Sequence, residues 1–424
     1  MVYGAGLADL GHRVRGICES AAVAEALNAA RPVVYEPGLA ALLRRNIKRR
    51  RLSYTADYHE GLAGAEFVYI SIDTPVGPDD SSDVSSILDA ARQIGRHLTR
   101  RPVICVTAQV PLGTCERIKE IVSTTSGHEL PIAYVPEFLR LGTAIETFRR
   151  ADRFVVGADD PRIAKRVSAL YSALRRPLYV TDLRTAEMAK HASNAFLATS
   201  ISFMNEIADL CGRTGADATV VAAIVKADRR VGPYAFLAPG LGYAGGTLGR
   251  EIKALQHMGR ETKVDTRLLD AVEHVNAVRP AMLVQAVSAA LDGLSGRRIA
   301  VLGLTYKPGT STMRRAISLE IIRDLVRGGA TVAAFDPLAD LSDVVDKPAF
   351  TVSPDAYEAA HQADAVIMIT PWPGIERLDL VKLTKVMRGR VLFDTRNHFD
   401  PDVASRAGLT YRGIGRNHGR GARK

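Results

Sequence analysis

Between residues 185 and 211 the chain contains neither glycine nor proline, and apolar residues recur at Met188, Ala192, Ala195, Phe203, Ile207 and Leu210. That spacing is helical, so the stretch predicts one long helix, ended by Gly212 and Gly215. A second helix is expected after Asp217. With no strand-like run in this region, a helical body must join or dimerise whatever lies on either side.

Both sides alternate short apolar runs with helical patterns. Residues 14–17, 67–72, 103–106 and 154–157 read as strands, with 178–180 a shorter candidate and 86–98 an amphipathic helix between two of them. Beyond the helical middle, residues 298–304, 331–335, 365–369 and 391–393 read as strands and 318–327 as a helix. Alternation of this kind means βαβ units and parallel sheets. The expected fold class is therefore α/β: two Rossmann-like parallel-sheet domains joined by a helical domain with a long central helix. The boundaries fall at 1–181, 182–294 and 295–424.

Composition removes several function classes. No run of eighteen apolar residues is present, so no membrane span is expected, and the first residues lack the pattern of a signal peptide. The four cysteines (Cys18, Cys105, Cys115, Cys211) are scattered without a CxxC pair. That argues against a disulfide framework or a structural zinc site and for a reducing, cytoplasmic setting. The formal charge is +10, with basic runs at 44–51 and after Tyr411. A nucleic-acid partner is one reading of such runs. No aromatic residue interleaves with RRNIKRRR as base stacking would require, and a solvated helix end with a frayed tail is simpler. A polyanionic small ligand suits the same charge.

Several stretches carry chemistry-bearing residues. PGLGYAGGTLGREIKAL (239–255) is glycine-rich, then brings Thr247, Arg250 and Glu251 together. Glycine permits close approach to the backbone, and the stretch reads as a loop on which a ligand lies. On the long helix, Glu187, Lys190, His191 and Asn194 form a polar stripe, with Lys190 and Asn194 on one face. Taken alone, a solvated stripe is the simpler reading, and His191, with no partner at metal-ligand spacing, reads as a helix-surface or core histidine. LTYKPGTSTMRR follows a strand directly, so Lys307 could hold a phosphate, although the stretch is no P-loop and a surface loop explains it as well. Gly4-Ala-Gly6 has no strand before it and reads as helix interior. RGICES ends a strand with Cys18 where a ribose-binding acid is wanted. Trp372 reads as packing.

Taken in order, these and further motifs resemble the UDP-glucose/GDP-mannose dehydrogenase family. The resemblance runs through YEPGL (35–39), DTPVGPDDSSDVSSI (73–87), QVPLGT (109–114), PEFLRLGTA (136–144) and DRFVVG (152–157). It continues through TDLRTAEMAKHASNAFLATSISFMNE (181–206), RRVG (229–232), the glycine-rich stretch, VLGLTYKPGT (301–310) and FDTRN (393–397). The resemblance implies an N-terminal domain that binds NAD, a C-terminal domain that binds the nucleotide diphosphate, and a homodimer or higher homo-oligomer built on the long helix. It implies oxidation of a sugar C6 alcohol to a carboxylate in surface-polysaccharide precursor synthesis, with UDP-glucose the commonest substrate. The second oxidation in the family passes through a thioester on a loop cysteine.

By position, the resemblance gives Lys190 and Asn194 the developing alkoxide, Glu137 the later hydrolysis, and Glu251 a water near the reacting carbon. Phe138, Leu139, Arg230, Gly242, Tyr243, Lys307 and Arg396 would bind the sugar and diphosphate, with Arg230 reaching across the dimer. Thr74, Pro75, Gln109 and Arg314 would meet NAD.

The departures cluster at the same places. The resemblance begins at Met1, just past the family's first strand and G-x-G-x-x-G turn. That leads to the expectation of weak NAD binding by the chain as written, through a truncated or misplaced start. Cys18 replaces the ribose acid, Asp73 a glycine, Gln109 a threonine at the cofactor, and Leu141 the second glutamate of the PEFLxEG pattern. Ser311 and Thr312 replace acidic residues, and Thr247 stands in place of the catalytic cysteine. A threonine hydroxyl is a far poorer nucleophile than a thiolate, so the expectation is a nucleotide-sugar 6-dehydrogenase whose second step is in doubt. The alternative is a non-catalytic nucleotide-sugar-binding homologue. Retained Lys190 and Asn194 favour the enzyme, and the absent glycine-rich turn favours the binder.

Overall fold

The computed structural model describes residues 1–75, 82–313, 315–344 and 346–416, and divides into two compact units, Met1–Ser193 and Asn194–Lys424.

In the first unit, β1 (Val14–Ile17) pairs in parallel with β2 (Leu52–Thr55) as a separate small sheet. The main sheet has the order β3 (Phe67–Ile70), β4 (Val103–Val106), β5 (Ile132–Tyr134), β6 (Phe154–Gly157), β7 (Leu178–Thr181). Its neighbours are parallel except β5 and β6, which meet antiparallel at Tyr134 and Gly157. The expected α/β class with parallel sheets holds, with two details added: the strands form two sheets, and the larger one carries one antiparallel pair. The connection between β5 and β6 carries the helix Ala144–Arg149 and does not cross to the other end of the sheet, as an antiparallel pair requires. The strands β4 and β6 are buried along their whole length, which is why each reads as a continuous apolar run. Gly4 and Gly6 lie inside the helix Val2–Asp9, as their context predicts. A Cβ on Gly6 would stand 2.5 Å from the Phe148 ring, so glycine here serves packing.

The long helix runs Leu183–Thr214. Asp182 opens it by accepting the Thr185 N–H at 2.8 Å. Gly212 lies inside it, contrary to its expected role as a stop. The stop is Gly215, at φ +79°, a conformation that ends helices and that glycine takes without strain.

The second unit continues with the helix Ala218–Ala227, capped by Asp217 as foreseen, and with Leu248–Thr262, Arg267–Ala277 and Arg279–Leu291. Its sheet contains β8 (Arg298–Leu302), β9 (Thr331–Phe335), β10 (Thr351–Val352), β11 (Ala365–Met368), β12 (Val391–Asp394) and β13 (Thr410–Gly413). The spatial order is β10-β9-β8-β11-β12-β13, all parallel. In chain order this is 3-2-1-4-5-6, the doubly wound arrangement whose ligand crevice opens beyond the carboxyl ends of strands 1 and 4. Alternate strand residues feed opposite layers: Ile299, Val301 and Ile367 pack on one face, Ala300, Leu302, Val366 and Met368 on the other. The glycine-rich stretch, expected to be a loop as far as 255, becomes helix at Leu248.

Candidate functional site

In the first unit, one cluster gathers where the long helix meets the loop after β5. Glu137, Phe138 and Leu139 follow that strand, and the Glu137 carboxylate accepts the Leu139 N–H at 2.6 Å. The loop is shaped from a distance by Glu36 of the YEPGL motif, whose two oxygens accept the Gly142 and Ala144 N–H groups, each at 2.7 Å. The Lys190 ammonium donates to the Glu137 carbonyl. Two cations meet the Phe138 ring, with Lys190 Nζ 4.7 Å and the Arg153 guanidinium 4.3 Å from its centroid. Arg153 also donates to Ser193 Oγ at 3.1 Å, three residues beyond Lys190. Arg153 and Phe138 help to line a cavity of about 340 Å³ beside this loop.

The polar stripe of the long helix is buried: Glu187, Lys190, His191 and Asn194 expose only 0–6% of their surface. This overturns the solvated reading: the loops after β4 and β5 bond to Glu187, Lys190 and His191. His191 is a core histidine whose Nε2 donates to the Val110 carbonyl at 3.0 Å. Asn194 follows Lys190 by one turn, and its buried Nδ2 has no hydrogen-bond partner among the described residues.

The cofactor-assigned residues sit at the carboxyl ends of β3 and β4. Thr74, buried, donates from Oγ1 to the Gln109 carbonyl at 2.8 Å, and the carbonyl of exposed Pro75 accepts the Asp83 N–H. Thr107 Oγ1, at the end of β4, is buried without a partner among the described residues. Cys18 lies directly after β1, where its N–H bonds the Thr55 carbonyl at 2.8 Å. Burial pushes its thiol pKa upward, so it supplies no negative charge for a ribose. Arg314 lies outside the described residues.

In the second unit the glycine-rich stretch folds over the carboxyl ends of β8, β11 and β12. Three of its glycines are crowded by the chain's own side chains. A Cβ on Gly240 would meet Arg396 Nη1 at 3.2 Å, one on Gly242 would meet Asn276 Oδ1 at 2.2 Å, and one on Gly245 would meet the Tyr306 ring at 3.0 Å. Gly246 faces open space. Asn276 clasps the stretch by accepting the Tyr243 N–H at 2.8 Å and donating to the Tyr243 carbonyl at 3.1 Å. Asn205 accepts the Gly240 N–H at 2.8 Å. Thr247 is exposed at the start of the helix Leu248–Thr262 and makes no side-chain cap hydrogen bond. Glu251, one turn later, is buried.

Lys307 lies on the loop after β8, with its Nζ 5.6 Å from the Tyr306 ring centroid. Arg396 lies on the loop after β12 and donates from Nε to the Ile369 carbonyl, beyond β11, at 3.0 Å. Gly242, Tyr243, Lys307 and Arg396 thus lie on loops gathered at one end of this sheet. Arg230 stands apart: it is exposed and ion-paired with its near neighbour Asp228. The acid at the end of β9, Asp336, is fully occupied by the fold. Its Oδ2 accepts from Leu304 N, Thr305 N, Thr305 Oγ1 and Trp372 Nε1, and its Oδ1 from Leu338 N and Ala339 N. It fixes the start of the Lys307 loop, and Trp372, read as packing, is buried and hydrogen-bonded there. Sequence reasoning missed Arg153, Asn276 and Asp336, because each acts on a partner remote in the chain.

Three family models cover almost the whole chain. They are the UDP-glucose/GDP-mannose dehydrogenase family NAD binding domain (residues 1–175), central domain (184–278) and UDP binding domain (300–401). Among similar proteins, the UDP-glucose 6-dehydrogenase YwqF of Bacillus subtilis is 36% identical over 98% of this chain and 95% of its own length. The UDP-glucose 6-dehydrogenase of Pseudomonas aeruginosa is 35% identical over the same shares. A solved UDP-glucose dehydrogenase from the hyperthermophilic archaeon Pyrobaculum islandicum superposes with a TM-score of 0.90 at 35% identity, over 98% of this chain and 95% of that one.

Proposed function

The chain belongs to the UDP-glucose/GDP-mannose dehydrogenase family, and we propose that within it this protein oxidises the C6 alcohol of UDP-glucose in polysaccharide precursor synthesis. It is an NAD-dependent nucleotide-sugar dehydrogenase of the UDP-glucose 6-dehydrogenase type. The comparisons with relatives favour this reading over the non-catalytic alternative.

The observation that carries the catalytic reading is Asn194. A buried amide donor left without an acceptor costs about 1–3 kcal/mol, and this one lies a turn beyond a buried lysine. A substrate oxygen supplies the missing acceptor. Lys190 and Asn194 hold the C6 oxygen as it loses its proton, acting as donors fixed before the reaction starts. Glu251 holds the water that takes this proton, and Glu137 serves hydrolysis in any later step. NAD, when bound, accepts the hydride from C6. The carboxyl ends of β3 and β4 suit it, because Thr74, Pro75 and Gln109 meet there beside the unpartnered Thr107 hydroxyl. Phe138 and Leu139 line the sugar. Gly242, Tyr243, Lys307 and Arg396 take the uridine diphosphate, with cations on loops after two strands of one sheet.

Residues 1–181 form the cofactor domain, 182–294 the helical middle and 295–424 the nucleotide-sugar domain. The protein acts as a homodimer. In support, Phe196, Phe203 and Leu210 recur every seven residues on the long helix and are 68%, 52% and 56% exposed in the single chain. Arg230 then serves the partner's site. All four cysteines are free, which supports a reducing cytoplasmic location, and among the described residues no helix is long and apolar enough to cross a membrane.

Thr247 limits the chemistry. The first oxidation turns an alcohol into an aldehyde and needs no nucleophile. A thioester route needs sulfur, and Thr247 offers an exposed hydroxyl with no base beside it in sequence. The reaction therefore stops after one NAD is reduced per sugar. The substrate assignment is tested by following NADH formation with UDP-glucose, UDP-N-acetylmannosamine and GDP-mannose in parallel. UDP-glucose should give the highest kcat/KM, and a clear preference for another sugar would refute the assignment.

A further inference from the structure

The helix Thr114–Ser126 begins at Gly113 in a left-handed conformation and has no side-chain cap of its own. Its first N–H groups are satisfied from the long helix. Glu187 Oε2 accepts the Gly113 N–H at 2.8 Å and Oε1 the Cys115 N–H at 3.1 Å. The carboxylate is fully buried, and it meets the positive end of the helix dipole where a negative group is most favourable. Burial pushes its pKa upward, against the hydrogen bonds from Cys115 and Gly113 that pull it down.

One turn along the same stripe, His191 grips the other end of this loop by donating to the Val110 carbonyl at 3.0 Å. The loop between β4 and the helix is thus held at two points, its donors at Gly113 and Cys115 by Glu187 and its acceptor at Val110 by His191. Between these grips runs Pro111-Leu112, and the carbonyl of Gln109, just before the His191 grip, receives Thr74 Oγ1 at 2.8 Å. Lys190 falls between Glu187 and His191 in sequence and is bonded to the Glu137 carbonyl.

We propose that Glu187 and His191 are positioning residues for the oxidation: from one rigid stretch of helix they fix the cofactor-side loop, with Gln109, relative to Lys190. The proposal rests on the dehydrogenase reading above. A lysine that holds the sugar oxygen and a loop that meets the nicotinamide must keep a set distance, and small errors there are costly in rate. Placing both attachments on one helix makes that distance a property of secondary structure. In the proposal both residues act through the loop they hold. Their removal should therefore affect the cofactor and the chemical step while sparing nucleotide-sugar affinity.

The test uses Glu187→Gln, which keeps the size but loses the charge and one acceptor, His191→Leu, which loses the donor, and His191→Gln, which retains one. Hydrogen exchange of peptides spanning 107–118 is measured in the ligand-free protein, followed by NAD and UDP-glucose affinities by calorimetry and steady-state kinetics. Glu187→Gln and His191→Leu should exchange these amides about tenfold faster, as for one lost hydrogen bond involving a charged or buried partner. They should weaken NAD about tenfold with kcat lowered, leave UDP-glucose affinity within twofold, and be largely rescued in His191→Gln. Unchanged exchange would overturn the proposal. So would faster exchange with both ligands affected alike or neither affected, because the contacts would then be a structural cap only. Failure of the unsubstituted protein to reduce NAD is a different outcome. It would sink the dehydrogenase reading, and the role of these residues in oxidation with it, whatever the exchange data show.

Discussion

Gly242→Ala should destabilise the second unit. Gly242 sits at φ +89°, and its new Cβ would stand 2.2 Å from Asn276 Oδ1 and 3.1 Å from Asn276 Cγ. The left-handed backbone costs an alanine about 1–2 kcal/mol. Asn276 must also swing away and release both hydrogen bonds to Tyr243, at about 1 kcal/mol each. The sum is about 3–4 kcal/mol. Asn276→Ala alone loses only the two hydrogen bonds, about 2 kcal/mol. In that background the clash is gone, so adding Gly242→Ala should cost only the backbone term, about 1–2 kcal/mol. The double mutant should therefore be about 2 kcal/mol more stable than the two single effects added together. The assay is urea unfolding followed by fluorescence of Trp372, which is the chain's single tryptophan and is buried in this unit. Strict additivity, or a Gly242→Ala cost below about 1 kcal/mol, would refute the account of the clasp.

Lys307→Ala should weaken UDP-glucose binding by about tenfold to a hundredfold, as for a lost charge-assisted contact, and leave NAD affinity within twofold by calorimetry. A fall in NAD affinity alone would reverse the domain assignment. For Asp364, burial acts to raise the pKa, but the Arg388 guanidinium and the Arg298 N–H outweigh it and hold the carboxyl below its usual range. A depressed carboxyl contributes stability above its unfolded pKa and loses it as pH falls through the folded value. Arg388→Met should accordingly be less stable than the unsubstituted protein at pH 7, by Trp372-monitored unfolding, with the gap closing in acid. A gap that widens in acid would contradict the sign. Phe203→Glu should lower the mass measured by light scattering from dimer to monomer, and an unchanged dimer would remove the long-helix stripe from the interface.

The sequence showed most of the second sheet, because β8, β9, β11 and β12 are mostly apolar and mostly buried. The strands it concealed are Leu52–Thr55, Ile132–Tyr134, Thr351–Val352 and Thr410–Gly413. These are short, and all but Ile132–Tyr134 include exposed positions, so no continuous apolar run marks them. Gly212 and Gly215 look alike in sequence, and only the backbone angle separates the helical residue from the stop. The burial of Glu187, Lys190, His191 and Asn194 could not be read from spacing, since a stripe carries no record of which loops will cover it. The residues proposed for the site were picked out by motif order. Their supports were not: Asn276, Asp336 and Arg153 act on neighbours 33, 31 or 32, and 40 residues away, and nothing local announces such a pairing.

The central claim is that a hydroxyl at position 247 confines this enzyme to a single oxidation. The most direct measurement is the NADH yield per UDP-glucose with enzyme in excess and the product identified by mass. The account predicts at most one NADH and a nucleotide-sugar aldehyde, with a second NADH and some uronic acid gained in Thr247→Cys. Two NADH and a nucleotide uronic acid from the unsubstituted protein would contradict it, and would mean that water attacks the hydrated aldehyde without covalent help.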